Sequence, residues 1–412
     1  MPTLLAAVPA APPLPSPTAA TAIAWATWLT LMGFPGLVAF ALVTADPAAR
    51  RVDEGTRHAV TTRLSRCAVL LAVLAVPAVL ADLAQDATTG SRYSAAWHSL
   101  YDGTGAGLLA GLEITLVLLG AVLVAPLAVR AAPHRWRRGL LVAGLVAGAA
   151  ALATTKLPAE ATDDLARTCW KTAVWLVHLW FGASWLGGLA GLLVLAVPGV
   201  IAPGDRGAFW SAAIRRFSAV AMTGVGAIAL SGLFLYWSHV DGPSQLLSTL
   251  YGRTLGVKIV LFGALLLLGI ANQFWLHPRI EAARAAGDTR PLRTLLLRRF
   301  PAVVAVELVL ILAILLVAPM LHGSAREQAV QSAAGSTTVH LPDKQAGPLT
   351  WVLGSAETLA VLAVLIAGYR VSGRIARRRA EAARRTARPA AGRGARDRPV
   401  VSGGTRRSRG SG

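Results

Sequence analysis

The sequence predicts an all-α integral membrane protein of about nine transmembrane helices, with its N-terminus outside and its C-terminus cytoplasmic. Three observations lead there. Nine stretches, 21–45, 66–84, 105–129, 138–156, 169–199, 214–239, 254–276, 299–321 and 349–370, are predominantly apolar and can span a bilayer. Each is near or above the ~20 residues a helix needs to cross ~30 Å of hydrocarbon. They are apolar all round, whereas the helices of a water-soluble core carry one apolar stripe. The intervening loops alternate between arginine-rich and arginine-poor. Loops 46–66, 130–138, 200–216 and 277–299 hold five, four, three and six arginines, and the tail from Arg370 holds fourteen more. Basic side chains resist translocation, so these loops belong in the cytoplasm. Nine spans make every loop alternate correctly, whereas eight or ten would put a rich and a poor loop on one side.

Taken in order, residues 1–20 (MPTLLAAVPAAPPLPSPTAA) lack the positive start of a secretory signal and read as a Pro/Ala-rich outer tail. Residues 21–156 form a four-helix membrane region, and 169–322 a second four-helix block. An outer loop, 323–348, leads to the ninth helix at 349–370. Residues 371–412 are rich in Arg, Ala, Gly and Pro without an apolar period, which predicts a disordered cytoplasmic tail.

Hydrophobic residues make up 55% of the 412, which excludes a disordered chain. The net charge of +20 follows the loops and the tail, so it reads as topology and contact with anionic lipid rather than nucleic-acid binding. The partner this implies is the lipid bilayer, and no nucleic acid is expected. Cys67 and Cys169 fall on opposite faces, which argues against a disulfide, and there is no CxxC or Cys/His finger. Heavy Arg and sparse Lys usage suggests a GC-rich bacterial genome, hence a multi-pass protein of the bacterial cytoplasmic (plasma) membrane.

Ionisable groups inside a bilayer are costly and therefore mark function or structural pairing. Counted from the outer ends of their spans, Glu113, His178 and Glu357 lie roughly 12–15 Å deep and Lys258 roughly 6 Å. Glu307 and Asn272 lie nearer the cytoplasmic side. His98, His178, His239, His322 and His340 lie on or open toward the outer face, and Met320 stands close to His322. Imidazole with thioether suits copper better than hard cations. Single outer-face histidines are otherwise solvated helix ends, and Glu357 and Lys258 would equally serve as pairs holding helices together. In the stretch from His178 to Gly188 (HLWFGASWLGG), Trp175, His178, Gly182 and Trp185 share one helix face. Small residues between aromatics admit a close neighbouring helix, and bulky indoles around a buried imidazole exclude water.

From this point the sequence resembles the copper resistance protein D (CopD) family. The matching features are His178 with Trp185-Leu186-Gly187-Gly188, Arg215-Arg216-Phe217-Ser218, Ser231-Gly232-Leu233 and the His239 region, Tyr251-Gly252-Arg253-Thr254-Leu255 with Lys258, Asn272, and Arg298-Arg299-Phe300 with Glu307. They run in order over roughly residues 170–322, making 169–322 the CopD-like domain. The first four spans look like the variable amino-terminal part of longer members. The resemblance implies copper handling at the cytoplasmic membrane, as uptake or resistance, with an extracytoplasmic copper chaperone of the CopC type as partner. His178, Lys258, Asn272 and Glu307 match polar places in the family pattern.

The expected function is capture of copper ions at the outer face and their import. His239, His322, Met320 and His98 would capture the ion and His178 would receive it. Glu307 with Asn272 would relay the ion or a compensating proton, while Lys258 would sit nearby as a gate or charge partner, with Glu113 or Glu357 supplying its carboxylate. The scarcity of methionine, four in all, departs from the pattern of a high-flux cuprous path. No nucleophile–base pair or phosphate loop is present, so the chain is not expected to be an enzyme. Two other readings stand beside this one. The first is a haem-binding redox protein, for which His239 with His322 match in depth better than either does with His178. The second is a metallation or assembly factor that delivers metal to another membrane protein without transport.

Overall fold

A bilayer offers backbone amides no water, so a spanning chain satisfies them within its own helices. The computed structural model describes residues 18–85, 92–160, 164–271, 300–321, 324–334 and, with gaps, 348–378. Among these residues there is helix and turn but no strand. The elements are α1 (Ala19–Phe40), α2 (Asp46–Ala49), α3 (Glu54–Leu83), α4 (Arg92–Ser99), α5 (Gly105–Ala128) and α6 (Arg137–Thr154). They continue with α7 (Leu165–Ala196), α8 (Arg206–His239), α9 (Gln245–Ser248), α10 (Leu250–Ala271), α11 (Phe300–Val317) and α12 (Ala325–Ala334). A π turn, Ala41–Ala45, joins α1 to α2 without a break. Eight helices are long and apolar enough to cross a membrane. The ninth segment is a shorter apolar helix, Val352–Gly368. The chain divides into two compact units, residues 1–362 and 363–412, and the first holds all eight of the long spans. Asn272, His322, His340, the outer tail and most of the arginine-rich tail lie outside the described residues.

Several helices run beyond their apolar stretches. Helix α3 starts at Glu54, α8 at Arg206 and α10 at Leu250. Hydropathy marks only the part in hydrocarbon, and the arginine-bearing ends continue as helix into the hydrated interface. Polar caps fix several starts. Thr18, Asp53, Thr104 and Asp164 each accept a hydrogen bond from a first-turn backbone N–H, of Thr21, Gly55, Gly107 and Arg167 respectively. Thr104 also donates from its hydroxyl and backbone amide to Asp102, holding that exposed carboxyl below its usual pKa. At the other end of α5, Arg66 Nε donates to the carbonyl of Ala128, which the helix itself leaves open.

Helix α1 is the hub, packed against α3, α6, α7 and α11. Small residues make the close approach possible. A Cβ on Gly36 would overlap the Ala183 carbonyl, and one on Gly187 would overlap the Gly36 backbone. Phe40 fills the notch at Gly191, and Phe34, wholly buried, fills those at Gly120 and Gly148. Polar ties cross the same core. Trp25 Nε1 donates to the Leu312 carbonyl at 3.1 Å, and Thr27 Oγ1 donates to the Ala78 carbonyl at 3.0 Å. Helices α8 and α10 are far less enclosed, since α8 lies mainly on α7 and α10 on α11.

At the end of α1, Asp46 is 4% exposed and accepts from Arg57 Nη2 at 2.8 Å and Arg50 Nη2 at 3.1 Å. Buried Arg137 of α6 donates from Nη2 to Glu54 at 3.3 Å and abuts the His58 ring. Removing one partner of such a pair strands a charge. Asp46→Ala should therefore destabilise the protein by about 3 kcal/mol or more, read as a lowered thermal midpoint in detergent. Arg50→Ala, which removes a half-exposed partner, should cost under about 1 kcal/mol.

Candidate functional site

Three helices and the turn after α6 bring polar side chains together toward one end of the bundle. On α7, His178 Nδ1 lies 3.0 Å from Ser231 Oγ of α8. The Ser231 hydroxyl has one proton and gives it to the carbonyl of Ala227, 2.6 Å away. Its oxygen therefore accepts from His178, which places the imidazole proton on Nδ1. Nε2 keeps a lone pair, and no hydrogen bond to it is found among the described residues. This is the arrangement a metal-binding imidazole needs, with one nitrogen anchored and the other presented. Trp175 meets the His178 ring edge-on at 6.3 Å, and Gly232 leaves room beside the ring, where a Cβ would come within 3.5 Å of Cε1.

Lys156, two residues past the end of α6, completes the cluster. Its Nζ lies 4.8 Å from the ring centre of Trp175 and 5.2 Å from that of Trp28 on α1. The negative faces of both indoles attract the ammonium. Lys258 of α10 is near enough to act electrostatically on both His178 and Lys156. Because α10 begins at Leu250, Lys258 lies roughly 12 Å in, deeper than its apolar stretch implies. Ser231, counted from the end of α8 at His239, lies at the same depth. Further in, Trp185 of α7 meets Phe262 of α10 edge-on at 6.2 Å. Buried Met32 of α1 brings its methyl end close to Gly182, one helical turn inward of His178.

The other residues singled out from the sequence are scattered. His239 ends α8, stacks on Tyr251 at 5.9 Å and has Nδ1 2.8 Å from the Leu235 carbonyl, which places the ring proton on Nδ1. Helix α12 caps this corner, with Gln328 accepting from the Tyr251 amide at 2.8 Å and Arg326 paired with Asp241 at 3.0 Å. Met320 is half-buried in the turn after α11, and His98 is exposed on α4. Glu113 of α5 stands near Asp82 of α3 rather than beside Lys258. Glu307 is buried on α11. Glu357 accepts from Trp237 Nε1 at 3.0 Å. Among the described residues, no three His, Cys, Asp or Glu side chains are grouped to hold a metal ion. Sequence reasoning passed over Lys156 and Trp28, which lie in the first four spans with no local motif. Ser231 was visible only as part of the Ser-Gly-Leu family feature.

Eight apolar spans around a buried polar cluster define a polytopic membrane protein. Residues 211–321 match the sequence profile of copper resistance protein D. Copper resistance protein D of Pseudomonas syringae pv. tomato is 28% identical over 151 residues, which cover 36% of this chain and 48% of that protein. Copper transport protein CutJ of Bacillus subtilis is 34% identical over 131 residues, covering 32% of this chain and 22% of that one. The chain thus spans about half or less of the length of the relatives it matches. A chain of the bd oxidase from Geobacillus thermodenitrificans shares the fold, with a TM-score of 0.50 over 87% of this chain and 98% of its own, at 13% identity. The matched stretch holds Ser231, His239, Lys258, Glu307 and Met320; His178, Lys156 and Trp28 precede it. The haem reading gains no support, since the family and both curated relatives carry copper in their names. His178, well inside α7, and His239, at the end of α8, also sit at different depths.

Proposed function

We propose that the protein handles copper at the bacterial cytoplasmic membrane, capturing the ion at the outer face and passing it inward without covalent chemistry. The observation that carries this reading is His178. Its Nδ1–H is fixed by Ser231 and its Nε2 is presented inside the outer half of a chain that matches the CopD profile. His239 with Met320, His322 and His98 would receive copper from outside, possession passing next to His178. Inward of it, Glu307 and Asn272 would relay the ion or a compensating proton. Lys258 would set the electrostatic barrier, and Glu113, whose carboxyl stands near that of Asp82, would take part in the relay. Nine spans, an outer N-terminus and a cytoplasmic arginine-rich tail fit this direction, with an extracytoplasmic chaperone of the CopC type as donor.

The test is the copper content of detergent-purified protein, followed by copper uptake into proteoliposomes, for the wild type, His178→Ala and the double variant His239→Ala/His322→Ala. About one bound copper, lost in His178→Ala, with uptake that fails in both variants, is the expected result. Copper bound but never moved would replace transport by delivery to another membrane protein. A Soret band in the purified protein would overturn the copper reading in favour of haem.

A further inference from the structure

Lys156 points inward, against the habit of a lysine at the end of a membrane helix. Long cationic side chains in that position normally carry their charge out toward water. The Lys156 amide donates to the Ala153 carbonyl at 3.0 Å, and its own carbonyl accepts from Thr172 Oγ1 of α7 at 3.4 Å, so its backbone is fixed beside the first turns of α7. Its ammonium, however, lies 4.8 Å from the ring centre of Trp175, three residues further along that helix. The side chain therefore runs into the bundle, away from the end of α6. His178 follows after three residues more, and its ring meets that of Trp175 at 6.3 Å. Trp28 of α1 stands on the ammonium as well, at 5.2 Å. A cation moving along α7 from Thr172 would meet the Lys156 charge before it met the imidazole. Among the described residues Nζ has neither a hydrogen bond nor an ion pair, so the two ring faces are what hold it. A ring face attracts any cation and lacks the directionality of a hydrogen bond. The indole pair is thus a cation site with a tethered occupant, and the flexible stem of lysine lets that occupant leave and return.

We propose that Trp28 and Trp175 form a cation site on the approach to His178, that Lys156 is its resident plug, and that a soft monovalent metal ion displaces the ammonium to reach the imidazole. The exchange sets one positive charge in place of another, so the net charge of a site shielded from bulk water does not change. A divalent ion would add a charge there and would also keep its hydration more firmly. Soft, polarisable ions suit ring faces and an imidazole better than hard ones do. The plug therefore selects by charge as well as by softness. The identity of the ion rests on the copper reading, whereas the indole pair and its tethered ammonium do not.

The full-length protein is purified in neutral detergent with Cys67→Ser/Cys169→Ser, so that its free thiols do not capture the ion. It is dialysed against silver nitrate in chloride-free buffer at neutral pH, and bound silver is measured. Silver(I) is soft, singly charged and stable without a reductant. Lys156→Ala should bind silver about tenfold or more tightly than its parent, because the competing ammonium is gone. n-Propylammonium nitrate, the fragment of lysine that this substitution deletes, should reverse the gain saturably, and n-propanol should not. Trp28→Leu added to Lys156→Ala should remove the gain too. Lys156→Arg, whose guanidinium stacks on indoles, should stay near the parent. Lys171→Ala deletes a charge near the same end of α7 and should shift affinity by less than about twofold. If Lys156→Ala does not elute as the parent does, Lys156→Gln, neutral with most of the stem retained, should move affinity in the same direction. Unchanged or weaker silver binding in a folded, neutral Lys156 variant would overturn the proposal, as would a gain that Lys171→Ala matches or that n-propylammonium leaves intact. Copper lost in His178→Ala without a silver gain in Lys156→Ala would sink the plug and leave the copper reading standing. A silver gain in a protein whose wild type holds no copper would do the reverse.

Discussion

Gly187→Leu should yield no monodisperse protein. At the crossing of α1 and α7 the two backbones are in contact, and a Cβ at Gly187 meets the Gly36 main chain rather than the tip of a side chain. Backbone atoms in the middle of two long helices cannot step aside singly, so the helices must separate along their length. Separation would empty the notch that Phe40 fills at Gly191 and draw Phe34 away from Gly120 and Gly148. Phe34 is wholly buried, and loss of such a packed ring alone costs about 3–5 kcal/mol. Gly182→Ala is the matched control on the same helix. Its new methyl meets only the flexible end of Met32 at 3.1 Å, which can rotate. The Gly182 variant should elute as a single species with a thermal midpoint within a few degrees of wild type, as judged by size exclusion and a melting curve. Equal behaviour of the two variants would show that the α1–α7 contact does not organise the bundle.

Ser231→Ala should weaken copper binding by about 10–100-fold while leaving the amount of folded protein unchanged. The substitution removes no group that touches the ion in the proposed site. It removes the acceptor that fixes the Nδ1–H tautomer of His178, so Nε2 is no longer the sole lone pair offered and the ring can turn. His178→Ala should abolish binding at this position, and the double variant should be no worse than His178→Ala alone, because Ser231 acts only through the imidazole. The measurement is competition with a chromophoric copper chelator at fixed pH. Undiminished affinity in Ser231→Ala would mean that the hydroxyl merely packs α8 against α7.

The spans themselves were legible in the sequence, because hydrocarbon demands predominantly apolar stretches and each of the first eight announced one. Helix ends were not. Glu54, Arg206 and Leu250 begin helices before their apolar stretches do, since polar and basic residues are welcome in a helix once it leaves the lipid. That error carried into the site, where a span starting at 254 left Lys258 too shallow to join His178. The shared face of Trp175, His178 and Trp185 could be read from spacing within one helix. The company they keep could not. Lys156 and Trp28 approach from other helices, and a one-dimensional pattern carries no record of which neighbour faces which. Glu113 shows the opposite failure: depth matched it to His178, but depth does not fix lateral position, and its neighbour is Asp82.

The π turn at Ala41–Ala45 makes the length of α1 a constraint in its own right. One residue more than an α turn is accommodated there, and each residue of a helix advances its successors by about 100° around the axis. The half of the hub helix that locks against Gly187 and the half that ends at Asp46 are thereby phased independently. Deleting Val43, which faces outward, would let the segment relax into a plain α-helix, and Asp46 would keep its phase toward Arg57 and Arg50, because the wide turn holds the one residue removed. A one-residue deletion in the first half of α1, with no wide turn to take it up, would rotate its flanks apart by about 100° and should be far more harmful.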